Sequence, residues 1–103
     1  MKVRNKSVIF IEAQSTWSIN ILVKLLIYYV TEIKKMIEEE QLNLHSSKRL
    51  ELLKPEFYVV YTGKEKVPEE ISLSEYFFNG QMVDCDVHAR VITHGNQESN
   101  DFF

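Results

Sequence analysis

The chain has 103 residues, 45% of them hydrophobic and 26% charged, with a net charge of −3, the profile of one soluble globular domain over residues 1–103. That excludes a two-domain enzyme and a disordered or fibrous segment, and a domain this small hides only roughly two-thirds of its unfolded surface. The single cysteine, Cys85, excludes an intramolecular disulfide and a zinc site built from several thiolates, and fits a reducing compartment.

The amino end, Met1 to Lys6, is basic like the start of a signal peptide, but the apolar run after it, Val8 to Ile11, is too short for the hydrophobic region of one. The longest apolar stretch, Ile21 to Val30, contains Lys24 and falls short of the ~20 residues of a membrane span. A cytoplasmic protein with no membrane partner is expected. Charge is uneven: residues 1–35 hold six Lys or Arg against Glu12 and Glu32, whereas residues 36–103 hold six against thirteen acids. The acidic balance argues against indiscriminate nucleic-acid binding, and the basic end with Lys2, Arg4 and Lys6 leaves a local backbone contact open.

Ser7 to Ala13 contains the β-branched and aromatic run Val8-Ile9-Phe10-Ile11, expected as a strand covered on both faces and interior to a sheet. The polar cluster Gln14 to Ser18 offers caps for a long helix from about Ile19 to Gln41. From Ile21 to Val30 that helix is apolar nearly all round and is expected to be buried on both sides, whereas Glu32 to Glu40 keeps one apolar stripe and lies on the surface. Leu42 to Lys54 reads as a short strand or a packed loop, closed by Pro55, which disfavours helix at Lys54.

Phe57 to Tyr61 is a second buried strand, ended by Thr62-Gly63. Strand, helix, strand predicts a parallel pair with the helix packed on the sheet. Lys64 to Glu70 is a charged loop, and Ser74 is the expected cap of a short helical turn through Phe78. Val83 to Val91 alternates apolar and polar residues, the period of a strand near a sheet edge with one wet face. The segment 96–103 is expected to fray. The fold class is therefore α/β, a small mixed sheet with one long helix on it.

Glu12 and Gln14 stand two apart in a strand and so share a face, which sets a carboxylate beside an amide where the strand meets the helix. An acid there is a reasonable hard-metal ligand, and the amide suits a water or phosphate oxygen; the plainer alternative is a strand leaving the core. Asp84, Asp86 and His88 share one face of the last expected strand, as metal ligands or, more simply, as a solvated edge that discourages strand pairing. His45-Ser46-Ser47 has no acid placed beside it for a hydrolase, and Thr62-Gly63-Lys64 lacks the spacing of a phosphate loop. Trp17 is either a lid on the core or a stacking platform for a base.

The string Val8 to Trp17, then Val23 to Tyr28, Pro55 to Gly63 and Ile71 to Phe78, taken in that order, resembles the Rpn family of recombination-promoting nucleases and transposase-related proteins, in the PD-(D/E)XK nuclease superfamily. The resemblance runs from about Val8 to Val91. It implies a partial restriction-endonuclease-like core and a metal-dependent DNA endonuclease. In it Glu12 would hold Mg²⁺ and Gln14, at the third motif position, would orient the attacking water. By the same resemblance Ser15 and Thr16 would be phosphate-facing donors at the helix start, and Lys24 a phosphate-binding cation on the helix.

The chain departs from that pattern. The superfamily places an Asp on a strand upstream of the Glu, and Met1 to Ile11 holds no Asp or Glu, as in an amino-terminally truncated member. Gln14 in place of the motif Lys removes a positive charge near the developing phosphorane. The expected protein is thus inactive as a monomer, with an unpaired edge beside Val8 to Ile11 that favours a dimer or pairing with a full-length relative. A regulatory or interaction module and a gene remnant without a selected role are the rival readings.

Overall fold

The computed structural model describes residues 2–4 and 6–94. A five-stranded mixed sheet is built from β1 (Lys2–Arg4), β2 (Ser7–Gln14), β3 (Lys54–Tyr61), β4 (Glu70–Ser72) and β5 (His88–Ile92), in the order β1-β2-β3-β5-β4. Helix α1 (Ile21–Glu39) links β2 to β3, and the short α2 (Leu73–Phe77) follows β4 directly. β2, β3 and β5 run parallel, and β1 and β4 close the two sides antiparallel.

The β-branched run predicted an interior strand, and β2 lies between β1 and β3 with Val8, Ile9 and Phe10 all buried. Alternation sends these residues to two clusters. Val8 and Phe10 join Phe57, Val59, Tyr61, Ala89 and Val91 beneath Ile21, Leu22 and Leu25 of α1, whereas Ile9 packs with Tyr58 and Ile92 in a smaller cluster. Phe10 stacks at 5.5 Å on Phe57 and meets Tyr29 edge-on at 6.2 Å. Pro55 is tolerated in β3 because the preceding Lys54 N–H points to β2, donating to Lys6 O at 3.0 Å. The proline position thus faces β5, whose pairing starts only at Phe57.

Four expectations are corrected. The first half of α1 is not buried all round: Val23, Ile27 and Val30 are 38%, 55% and 54% exposed. One sheet meets one face of this helix, and no second layer packs on its far side among the described residues. The edge of β2 is not open beside Val8, because β1 pairs with it over Ser7, Val8 and Ile9; only from Phe10 to Gln14 does no strand lie beside it among the described residues.

The last strand is shorter than the alternation implied, running His88–Ile92, and it is interior, between β3 and β4, while β4 forms the edge. The alternating residues before it, 83–87, form a loop instead. Finally, α2 is capped by Ser72, whose hydroxyl accepts from Glu75 N–H at 3.3 Å, and not by Ser74. The Leu42 to Leu53 segment is a loop, with Leu44 and Leu52 exposed. The expectation for residues 96–103 lies outside the described residues.

Candidate functional site

Glu12 and Gln14 occupy the same face of β2 as Val8 and Phe10, and that face carries α1. They therefore stand at the carboxyl end of a parallel strand pair, under the first turns of the helix. This is where ligands gather in parallel sheets, because strand ends and helix starts converge there.

Lys24 and Tyr28 reach Glu12 from α1. Lys24 Nζ donates to Glu12 Oε1 at 3.1 Å and Tyr28 Oη donates to the same oxygen at 3.4 Å. The two residues are four apart in the helix, so they lie one above the other on one flank. The Glu12 side chain is 27% exposed and that of Lys24 53%. The hydrogen bond to Glu12, then its negative charge, raises the Lys24 pKa above its ordinary value of 10.5.

Gln14 is held by its backbone: its carbonyl accepts Thr62 N–H at 2.9 Å and Thr62 Oγ1 at 3.3 Å, tying the ends of β2 and β3 together. Its side-chain Oε1 is buried with no hydrogen-bond partner among the described residues. Beside it Tyr61 is buried, meets Trp17 edge-on at 5.5 Å and accepts Glu65 N–H on its hydroxyl at 3.3 Å. Trp17 is thus a lid on the core at this corner, packed on the main cluster.

Of the sequence-predicted site residues, the fold brings together Glu12 and Lys24, with Gln14 on the same face of β2. Ser15 and Thr16 are exposed in the bend after β2, but they are not at the helix start. Residues 17–20 intervene, with a turn at 19–20, and the residue before α1 is Asn20, whose side chain makes no capping hydrogen bond. Tyr28 was missed as a contact to the acid; its spacing from Lys24 was the available signal.

Asp86 and His88 lie together, with the carboxylate taken up by backbone N–H groups and the imidazole. Asp86 Oδ1 accepts Ser74 N–H and Val87 N–H, each at 2.8 Å, and its Oδ2 lies 3.2 Å from His88 Nε2. The carboxylate thereby ties the loop before β5 to the first turn of α2. Burial pushes its pKa up, but the hydrogen bonds from Ser74 and Val87 and the neighbouring His88 outweigh this and hold it below the ordinary 3.8. Cys85 is exposed. Ser46 spends its hydroxyl on Lys48 N–H at 3.1 Å in a local turn, and His45 N–H donates to Asn43 Oδ1 at 2.9 Å.

A groove of about 720 Å³ lies elsewhere, between the second half of α1 and the Leu42 to Leu53 loop, floored by Val8, Tyr29, Ile33 and Met36. Its charged residues, among them Glu32, Lys48, Arg49 and Glu51, have mixed signs, so the chemistry-bearing residues remain at the Glu12 corner.

The corner does not fit a hard divalent cation as it stands. Mg²⁺ is held by carboxylates, water and phosphate oxygens, and here a single acid carries an ammonium and a phenol on one oxygen. Among the described residues no group of three His, Cys, Asp or Glu side chains could hold a metal ion. No helix among them is long and apolar enough to cross a membrane. Comparison with protein families, curated proteins and solved structures finds no match to this chain.

Proposed function

We propose that this chain is a catalytically incomplete relative of the Rpn endonucleases, without DNA cleavage of its own, that works by pairing with another chain. The observation that carries the reading is the Glu12 corner: a carboxylate and an amide two apart on the helix face of a core strand, with Lys24 and Tyr28 both on the carboxylate, and no metal-ligating group of three His, Cys, Asp or Glu among the described residues. Two-carboxylate phosphodiester chemistry needs a second acid to hold a metal and stabilise charge at phosphorus. One carboxylate already neutralised by a lysine offers neither.

The pairing half of the reading rests on β2. Over Phe10 to Gln14 its outer edge has no neighbouring strand among the described residues, although Phe10 is a core residue. Unpaired strand edges are ready templates for another strand. A second copy is the simplest occupant, and a related nuclease carrying the missing acid would restore a complete centre across the same edge.

The test is incubation with plasmid DNA in Mg²⁺ or Mn²⁺, run for the wild type and Glu12→Ala, with light scattering on the same preparation. The expected result is equal background cleavage in both and a dimer or larger species at micromolar concentration. Cleavage that disappears in Glu12→Ala overturns the inactive reading, and a monomer that captures no related nuclease on co-expression overturns the pairing.

A further inference from the structure

The Glu12 corner presents a conflict between its likeness to a metal centre and its contents. In a magnesium-binding carboxylate the oxygens face a cation of charge two. Here Glu12 Oε1 faces the ammonium of Lys24 at 3.1 Å, and the same oxygen takes the Tyr28 hydroxyl at 3.4 Å. The ammonium also lies 6.0 Å from the centroid of the Tyr28 ring, so the phenol steadies both members of the pair.

We propose that Lys24 is the resident cation of this corner, occupying through its ammonium the place on Glu12 that a divalent metal would take, so that the chain excludes metal by its own side chain. The physics is competition for one carboxylate. A divalent ion approaching Glu12 meets the Lys24 ammonium already on one of its oxygens, and it must either displace Lys24 or share a monovalent acid with it.

The helix makes the lysine a standing occupant. Lys24 is in the first turn of α1, whose neighbours Ile21, Leu22 and Leu25 are fully buried, so its Cα cannot retreat without moving the core. Tyr28, one turn on, fixes the carboxylate against it. The inference deepens the reading of an incomplete nuclease centre, since it concerns the same acid, but its readout is cation uptake and not cleavage.

The test is titration of the full chain with Mn²⁺ alone, following the loss of the free-ion electron paramagnetic resonance signal. Tb³⁺ luminescence sensitised by the nearby Trp17 and Tyr28 gives a second measurement. Wild type, Lys24→Met, Lys24→Gln, Glu12→Gln and the double variant Lys24→Met/Glu12→Gln are compared, with circular dichroism confirming the fold. The expected result is a gain of about tenfold or more in Mn²⁺ affinity in Lys24→Met or Lys24→Gln, abolished when Glu12→Gln is added. Wild-type binding that is equal to theirs and lost in Glu12→Gln overturns the proposal, as does no gain in either lysine variant. Glu12-dependent uptake by a wild type that cleaves no DNA removes the exclusion alone and leaves the inactive reading intact.

Discussion

Lys24 Nζ lies 3.1 Å from Glu12 Oε1, so a salt bridge joins the first turn of α1 to the carboxyl end of β2 across twelve residues of sequence. The pair raises the lysine pKa above 10.5. A raised lysine contributes stability that is complete below the ordinary value and is lost as pH rises through the folded one, so the lysine's contribution is present at neutral pH and is lost on the alkaline side. Following its Cε resonance by NMR, Lys24 is expected to titrate above the ordinary 10.5 in the wild type and to shift down in Glu12→Gln. A Lys24 midpoint unchanged by Glu12→Gln would contradict the contact.

Leu25 and Ile27 test which side of α1 holds the fold. Leu25 is fully buried against the sheet, whereas Ile27 is 55% exposed. Leu25→Ala is expected to cost about 2–5 kcal/mol through lost burial and the cavity left behind. Ile27→Ala is expected to stay within about 0.5 kcal/mol, as for a surface change. Urea unfolding monitored by Trp17 fluorescence measures both, and equal losses would mean that the outer face of the helix is covered in solution.

Gly63 sits against Tyr61. A Cβ at Gly63 would overlap the Tyr61 hydroxyl oxygen and two carbons of its ring, and the tyrosine is buried with Trp17 edge-on against it. A buried ring must shift to make room, so Gly63→Ala is expected to destabilise by about 1–3 kcal/mol, the usual range for overpacking. Because the Tyr61 ring carbons Cζ and Cε1 would be overlapped as well as the hydroxyl, Tyr61→Phe combined with Gly63→Ala is expected to recover little of the loss in thermal melts, whereas Tyr61→Leu, which lacks the ring, is expected to relieve the overlap itself. A Gly63→Ala melt identical to wild type would show that Tyr61 moves freely.

Asp86 gives the acid limb of the stability profile. Its lowered pKa means that its contribution is present above the ordinary 3.8 and is lost as pH falls through the folded value, so the effect belongs below about pH 4. Asp86→Ala leaves Ser74 N–H and Val87 N–H without their acceptor and is expected to cost about 1–2 kcal/mol, in the range of a lost helix cap. Asp86→Asn keeps an acceptor oxygen, so it is expected to lose less at pH 7 and to flatten the acid limb. Denaturation midpoints at pH 7 and pH 3 separate the two variants, and parallel pH profiles for Asp86→Asn and wild type would remove Asp86 as the titrating group.

The strands β2 and β3 were legible from composition, because Val8 to Ile11 and Phe57 to Tyr61 read as doubly covered strands, although cover on both faces ends at Phe10 and Ile11 is 38% exposed; Glu12 and Gln14 follow on one face from the two-residue period alone. Helix α1 was legible too, though not which of its apolar residues would be covered. Periodicity describes what a segment can bury, and Val23, Ile27 and Val30 stay exposed because the sheet meets only the opposite side. The alternation from Val83 to Val91 misled for a related reason: Asp86 reached back to Ser74 N–H, and that tertiary bond holds residues 83–87 in a loop that local pattern could not distinguish from a strand.

Sequence by itself determined the parallel strand-helix-strand unit and the acid and amide at its mouth, because side-chain size and alternation are local properties. Only the tertiary structure decided what that acid faces. Lys24 is twelve residues from Glu12, and no spacing rule links a strand end to a helix flank; the packing of Ile21, Leu22 and Leu25 on the sheet brings the ammonium within 3.1 Å of the carboxylate. The strand pairing, likewise a tertiary matter, sets β1 beside Ser7 to Ile9 and leaves no strand on that side of Phe10 to Gln14 among the described residues.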